Sequence, residues 1–392
     1  MNLCAFLAPD DIGREMLRGA VSLLPEPLAT AVADDLQWDD TVGALRKYSL
    51  VEVQDRAISV HRLVQAVVRD RLDGEGRKKW AEVALKIVNA GFPFDSDDVR
   101  TWPQCARLLS HALASAGHSE ELQVGLKVCQ RILNQAGVYV RGCAELSAAR
   151  SVLERALRIS EAVCGPDHAD VAAVMNNLGN VLQEQGDLPG ARVCFERALK
   201  VGEAAYGPDH PQVAIYVNNL GGVLWEQEDL AGARAGFERA LKIDERTYGP
   251  DHPMVAVDVN NLGNVLQRQG DLVGARTCFE RALEIGEAIY GPHHPQVAVY
   301  VNNIGGVLWD QGDSAGARTC SERAVKIDEV AYGPEHPQVA TDVSNLGSVL
   351  KEQGDLAAAR ACFERALRIR ERMLGEDHPS TQKARRWLES LG

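Results

Sequence analysis

The sequence is poor in the features that announce chemistry or a membrane. Aromatic residues make up only 5% of it, and methionines number five. No run approaches the roughly 18 consecutive apolar residues that a membrane helix needs, so no membrane association is expected. The N-terminus, MNLCAFLAPDD, has no basic segment ahead of its apolar stretch and so lacks the form of an export signal. The nine cysteines are an odd number without disulfide-like spacing. Cys194, Cys278, Cys320 and Cys362 share one position of a repeat and read as small apolar residues of a reducing, cytoplasmic compartment. Basic charge is short as well. With 42 Lys and Arg against 55 Asp and Glu the net charge is −13, a poor match to nucleic acid or anionic lipid. There is no G-x-x-x-x-G-K-[ST] loop, nucleophile elbow, zincin helix, CxxC pair or glycine-rich dinucleotide loop. No enzymatic activity, cofactor or metal is therefore expected. The many acidic residues read as solvated faces of repeats.

Repetition is what the sequence has in plenty. GPDH begins at Gly165, Gly207 and Gly249, followed by GPHH at Gly291, GPEH at Gly333 and GEDH at Gly375, always 42 residues on. NNLG stands at Asn176, Asn218 and Asn260, NNIG at Asn302 and SNLG at Ser344; FERAL stands at Phe195, Phe237, Phe279 and Phe363, with SERAV at Ser321. A fixed period of this size marks stacked hairpins, none of which can bury its own apolar face. Metal ligands must converge on one point, whereas His168, His210, His252, His294, His336 and His378 are strung out one per repeat. They are expected to punctuate the fold.

Each repeat reads as two helices. In 166–207, Val171, Val174, Leu178 and Leu182 follow helical spacing. Gly186 ends that helix and Asp187 caps the next, which carries Ala191, Phe195, Ala198 and Leu199 on one face. In later repeats Pro211, Pro253, Pro295 and Pro337 stand where a first-turn proline is tolerated, with the preceding His or Asp as a cap.

Leu178-Gly179, Leu182, Ala191, Phe195 and Ala198 match the tetratricopeptide-repeat pattern at its defining offsets, so this region resembles that family. The 42-residue length and the GPDHP linker resemble the subtype found in kinesin light chains and many bacterial regulators. The resemblance implies a mainly α fold, a right-handed α-solenoid over 122–392: a degenerate first hairpin at 122–164, five repeats over 165–374 and a capping helix at 375–392. It also implies a concave groove, lined by the first helix of each hairpin, that takes a protein or peptide ligand. The basic set with which chaperone-binding members grip a C-terminal carboxylate is absent, since the helix ends carry Glu184, Glu226, Arg268, Asp310, Lys351 and Glu352.

The groove candidates are polar and aromatic. Asn177, Asn219, Asn261, Asn303 and Asn345 recur without exception. Their amides could hold a peptide backbone, or could bond between adjacent helices. Asn180 and Asn264 lie one turn further on. The repeats also alternate, NNLGNVLQ with YVNN(L/I)GGVLW, so the true unit of similarity is a pair of repeats. Gly222 beside Trp225 and Gly306 beside Trp309 predict two recesses for apolar anchors, roughly 20 Å apart from the spacing of packed helices. Repeat four departs from the pattern: Ser314 and Ser321 replace a leucine and a phenylalanine, a loss of around 3 kcal/mol or more if nothing fills the space. That predicts a looser hairpin.

Residues 1–72 lack this period. Helices are expected over 10–24, 27–33 and 41–48, then two strands over 49–53 and 57–60 around the turn at Gln54, Asp55 and Arg56, then a helix over 61–72. This order, with ALRKYSLVE and ISVHRLVQAVVRDRL, resembles the small α+β winged-helix segment of NB-ARC-type STAND ATPases. The resemblance makes His61 a candidate nucleotide sensor and implies a nucleotide-binding domain elsewhere in the full-length protein, although Arg62 stands where that family has an Asp. Residues 73–121 read as a helical linker. The function expected is a peptide- or protein-binding sensor module. A DNA-binding regulator or a passive assembly scaffold are the alternatives; eleven acidic against eight basic side chains in 1–72 disfavour the former.

Overall fold

The structure is a computed structural model and describes residues 1–54 and 57–389. The expected turn at Asp55 and Arg56 and the last three residues of the chain lie outside the described residues. The protein is mainly helical and divides into two compact units, Met1–Tyr206 and Gly207–Gly392.

The first unit opens with a small α+β part. Strand β1 (Ile12–Gly13) leads into α1 (Arg14–Arg18), α2 (Leu28–Ala33) and α3 (Asp35–Lys47), followed by β2 (Glu52–Gln54), β3 (Ala57–Ser59) and α4 (Arg62–Arg71). The sheet is antiparallel with order β1-β3-β2. The stretch from Asp10 to Leu24, expected to be helical throughout, instead begins with β1. Ile12 is fully buried opposite Ile58, a pairing set by tertiary contact that two residues cannot signal. Helix α3 starts earlier than expected because the Asp34 carboxylate accepts from Gln37 N. Buried Gln65 of α4 donates to the carbonyls of Cys4 and Leu7 at 2.7 and 3.1 Å, holding the N-terminal segment on that helix.

Helices α5 (Gly74–Gly91) and α6 (Trp102–Leu122) pack on one another, and both touch the N-terminal part. Fully buried His111 of α6 donates from Nε2 to the carbonyl of Asp11 at 3.0 Å, and burial holds its pKa below the ordinary imidazole range. The hairpins α7 (Leu126–Gly142) with α8 (Leu146–Cys164) and α9 (Ala169–Glu184) with α10 (Leu188–Tyr206) complete this unit.

The second unit is four hairpins and a closing helix. They are α11 (Pro211–Glu226) with α12 (Leu230–Tyr248), α13 (Pro253–Arg268) with α14 (Leu272–Tyr290), α15 (Pro295–Asp310) with α16 (Ser314–Tyr332), α17 (Pro337–Glu352) with α18 (Leu356–Leu374), and α19 (Pro379–Glu389). Each second helix packs on the first helix of the next hairpin. The first helices α11, α13 and α15 also touch in succession, which makes them the inner layer of this stack.

The local chemistry repeats as faithfully as the sequence. The histidines are N-caps. Nδ1 of His252, His294 and His336 accepts from the backbone N–H two residues on at 3.2 Å, and in each case a tyrosine from the preceding helix stacks on the ring at 4.3–4.5 Å. Asp229, Asp271, Asp313 and Asp355 cap the second helices. Between the two helices, a glycine of the first lies under the phenylalanine of the second. A Cβ on Gly221, Gly263 or Gly347 would meet the rings of Phe237, Phe279 and Phe363 at 2.6–2.9 Å. Only a residue without a side chain permits that approach. At the end of the second unit, Trp387 of α19 lies against Phe363, centroids 5.9 Å apart, and receives the guanidinium of Arg370.

The joints between hairpins alternate, and this is where the two-repeat unit of the sequence originates. At one joint Tyr300 of α15 fills the space above Gly286 of α14, where a Cβ would sit 2.8 Å from the ring. At the joints before and after it, Asp244 of α12 meets Asp258 of α13, and Asp328 of α16 meets Asp342 of α17. All four carboxyls are buried, which corrects the reading of acidic residues as solvated. Burial, and then the facing carboxyl, push Asp258 up to about 8; burial pushes Asp342 up to about 7, with the facing Asp328 adding to it. Among the described residues, Asp244 Oδ1, Asp258 Oδ2, Asp328 Oδ1 and Asp342 Oδ2 have no donor; one proton shared within each pair supplies it. Asn218 donates to the other oxygen of Asp258, and Asn302 to Asp342 at 2.7 Å.

Candidate functional site

The inner face of the second unit carries two recesses at equivalent places, two repeats apart. One, of about 160 Å³, is lined by Gly222, Trp225, Glu226, Phe237, Asn261 and Asn264. The other, of about 220 Å³, is lined by Gly305, Gly306, Trp309, Ser321 and Val349, with Asn302, Asn345 and Ser348 as its polar rim. Trp225 is 39% exposed, and Trp309 packs one edge on the core of Phe279, Ile304 and Leu308. The tryptophans are wall residues whose remaining faces stay open.

The two recesses differ in their floor. Phe237 forms the floor of the first. In the second its counterpart is Ser321, whose hydroxyl turns back to the carbonyl of Ala317 at 3.0 Å. No neighbour among the described residues fills the vacated volume. Gly305, which corresponds to the ring-covered Gly221, would bring a Cβ against Cys320 Cβ at 3.1 Å and no ring. Helix α16 nevertheless runs unbroken from Ser314 to Tyr332.

The asparagines expected in the groove take two roles. Asn177 donates to Asn134, Asn261 to Asn218 and Asn303 to Asn260, at 3.0, 3.1 and 2.7 Å. These bonds tie neighbouring first helices together and occupy one amide N–H each. Asn261 also lines the smaller recess, and exposed Asn345 the larger. Asn180 and Asn219 are partly buried. Exposed Arg268 pairs with Glu228 at 3.3 Å and lines neither recess. Sequence reasoning missed Phe237, Ser321, Ser348 and Val349, because they come from the second helix or from the next repeat. The FERAL and SERAV words already pair Phe237 with Ser321, but the pairing reads as a loss of packing and not as a recess.

Two other places gather groups capable of chemistry. His61 is the N-cap of α4, its Nδ1 accepting from Leu63 N at 3.2 Å, and it edges a recess with Asp10, Ser49, Glu52 and Ser59. At the linker before α9, Cys164, His168 and Asp170 bring a thiol, an imidazole and a carboxylate within 4.8 Å of one another. There His168 Nδ1 already accepts from Asp170 N at 3.1 Å, so an ion taking that lone pair would displace the helix cap. Among the described residues no helix is long and apolar enough to cross a membrane.

Comparison with known proteins agrees with the geometry. The family model described as Tetratricopeptide repeat matches overlapping windows from residue 129 to residue 386, more than half of the chain. Residues 1–77 match a Domain of unknown function (DUF7779). No curated protein matches the sequence. Among solved structures, the crystal structure of BtubC (BKLC) from P. vanneervenii is similar at 25% identity and a TM-score of 0.50, covering 60% of this chain and 92% of that one. The apo form of RapI is similar in fold at 13% identity and a TM-score of 0.53, covering 84% of this chain and 91% of that one.

Proposed function

Because the chain belongs to the tetratricopeptide-repeat family, we propose that its repeats form a receptor for an extended peptide or partner segment, gripped on the face built by the first helices. The observation that carries this reading is the pair of equivalent recesses, each with a tryptophan wall, a glycine that leaves room beside it, and an asparagine at the rim. Apolar recesses with a few polar groups anchor side chains, and rim amides orient a backbone. The test is selection of a displayed peptide library on the full chain. Enriched peptides should lose binding to the Trp225→Ala/Trp309→Ala variant while its circular dichroism is unchanged. Equal binding to both proteins refutes the reading.

The N-terminal part is, in this proposal, a winged-helix relay that passes groove occupancy to a nucleotide switch, with His61 as its sensing residue. Three helices followed by a β-hairpin that pairs with an earlier strand support this reading. Its test is co-purification of a nucleotide-binding domain with the full chain, altered by groove ligand and by His61→Ala. Absence of any such domain refutes the relay.

A further inference from the structure

We infer that Ser321 sets the ligand class of the receptor: the recess at Trp309 takes an aromatic side chain, and the recess at Trp225 only a smaller aliphatic one. This rests on the receptor reading above. It starts from the contact that closes the other three hairpins of the second unit, where a phenylalanine ring of the second helix covers a glycine of the first. At Gly221 that ring belongs to Phe237, with a Cβ distance of 2.9 Å, and it floors the smaller recess. At Gly305 the ring is missing, and the larger recess extends to Ser321 and Val349 of the next repeat.

Trp309, Gly305, Gly306 and Val349 form the apolar side of the larger recess, opposite Asn302, Asn345 and Ser348, and an aromatic ring has an apolar face for the one and a polar edge for the other. Ser321 spends its hydroxyl on Ala317 O, so the floor presents no unpaired donor to penalise an apolar guest. A guest ring would restore, from outside the chain, the packing that the other hairpins own internally. The charge next to the site names the rest of the partner. Exposed Asp310 follows Trp309 and receives Gln267 Nε2 at 2.6 Å. A segment that brings a lysine or arginine beside its aromatic residue matches that field.

The experiment uses the full chain and two probes, N-acetyl-phenylalaninamide and N-acetyl-valinamide, followed by NMR at the indole N–H signals of Trp225 and Trp309. The aromatic probe should bind at Trp309 at least about fivefold tighter than at Trp225. Ser321→Phe, which restores the residue found in the other three hairpins of the second unit, should abolish that binding and leave the Trp225 response to the valine probe unchanged. Ser321→Leu should weaken it to an intermediate degree. Equal affinity of the aromatic probe at both tryptophans, or binding at Trp309 that survives Ser321→Phe, overturns the assignment to Ser321 and leaves the receptor standing. Failure of both probes at both indoles, together with failure of the peptide selection, overturns the receptor reading as well.

Discussion

Replacing Asp258 by Asn should make one joint of the repeat stack insensitive to pH. In the native protein Asp258 and Asp244 are 1% and 2% exposed and face each other across the α12–α13 joint. Burial raises both carboxyls; the facing charge adds to it at Asp258, which is pushed up to about 8, while at Asp244 the bond to Asp258 partly offsets the burial. A carboxyl whose folded pKa is raised binds more protons in the native state than in the unfolded chain. The stabilisation is complete below the unfolded value, near 3.8, and is lost as pH rises through the folded value. Each unit of pH in that window removes about 1.4 kcal/mol per shared proton, hence up to about 3 kcal/mol between pH 5 and pH 7 at this joint. The window closes near pH 8 at Asp258 and near pH 7 at Asp342. Asparagine supplies the same bonds without a proton to lose: its Oδ1 accepts from Asn218 as Asp258 does now, and its Nδ2 donates to Asp244. Hydrogen exchange of α12 and α13, divided by intrinsic rates at pH 5 to 8, measures the local opening free energy. Native protein should lose protection with rising pH, and Asp258→Asn should hold it level while α16 and α17 keep their slope. If the variant keeps the native slope, or loses the same protection at pH 5 as at pH 8, the shared-proton account is wrong.

The other predictions are simpler. His294→Ala removes the cap on Gln296 N and the stack on Tyr290 and should cost about 1 kcal/mol locally; His294→Asn should recover most of it, and equal exchange protection in α15 for all three proteins would refute the capping role. Gly263→Ala puts a Cβ 2.6 Å from Phe279 and should cost about 1–3 kcal/mol, an effect that Phe279→Leu should relieve in the double variant; strict additivity would refute the contact. Glu228 takes φ 64° where the matching repeats place Gly270, Gly312 and Gly354, so Glu228→Gly should raise thermal stability by about 1 kcal/mol, and a lower melting temperature would show that the ion pair with Arg268 matters more.

The hairpins were legible because every instruction is written several times. A histidine before a proline, a glycine after the last turn and an aspartate three residues before a small residue act within a few residues of themselves, so sequence and structure agree there. The Trp225 and Trp309 recesses were legible for the same reason, since each tryptophan stands one turn from a glycine on the same helix. What stayed hidden depends on partners far along the chain. Asp258 reads as a solvated charge until Asp244 and Asn218 are known to face it. Ser321 read as a missing core residue, and only the neighbouring Trp309, Gly306 and Val349 turn that vacancy into a cavity. Ile12 and Gly13 are strand residues only because Ile58 and Ala57 are within reach.

The alternating joints have a genealogical consequence. Removing residues 249–290, one period, would bring Asp244 against Tyr300 and leave a lone carboxyl facing a phenol ring. Removing 249–332 would bring Asp244 against Asp342 and recreate a matched couple. Copying and excision of such a gene segment therefore preserve the protein only in steps of two hairpins, and descendants of differing length should differ by an even number of repeats.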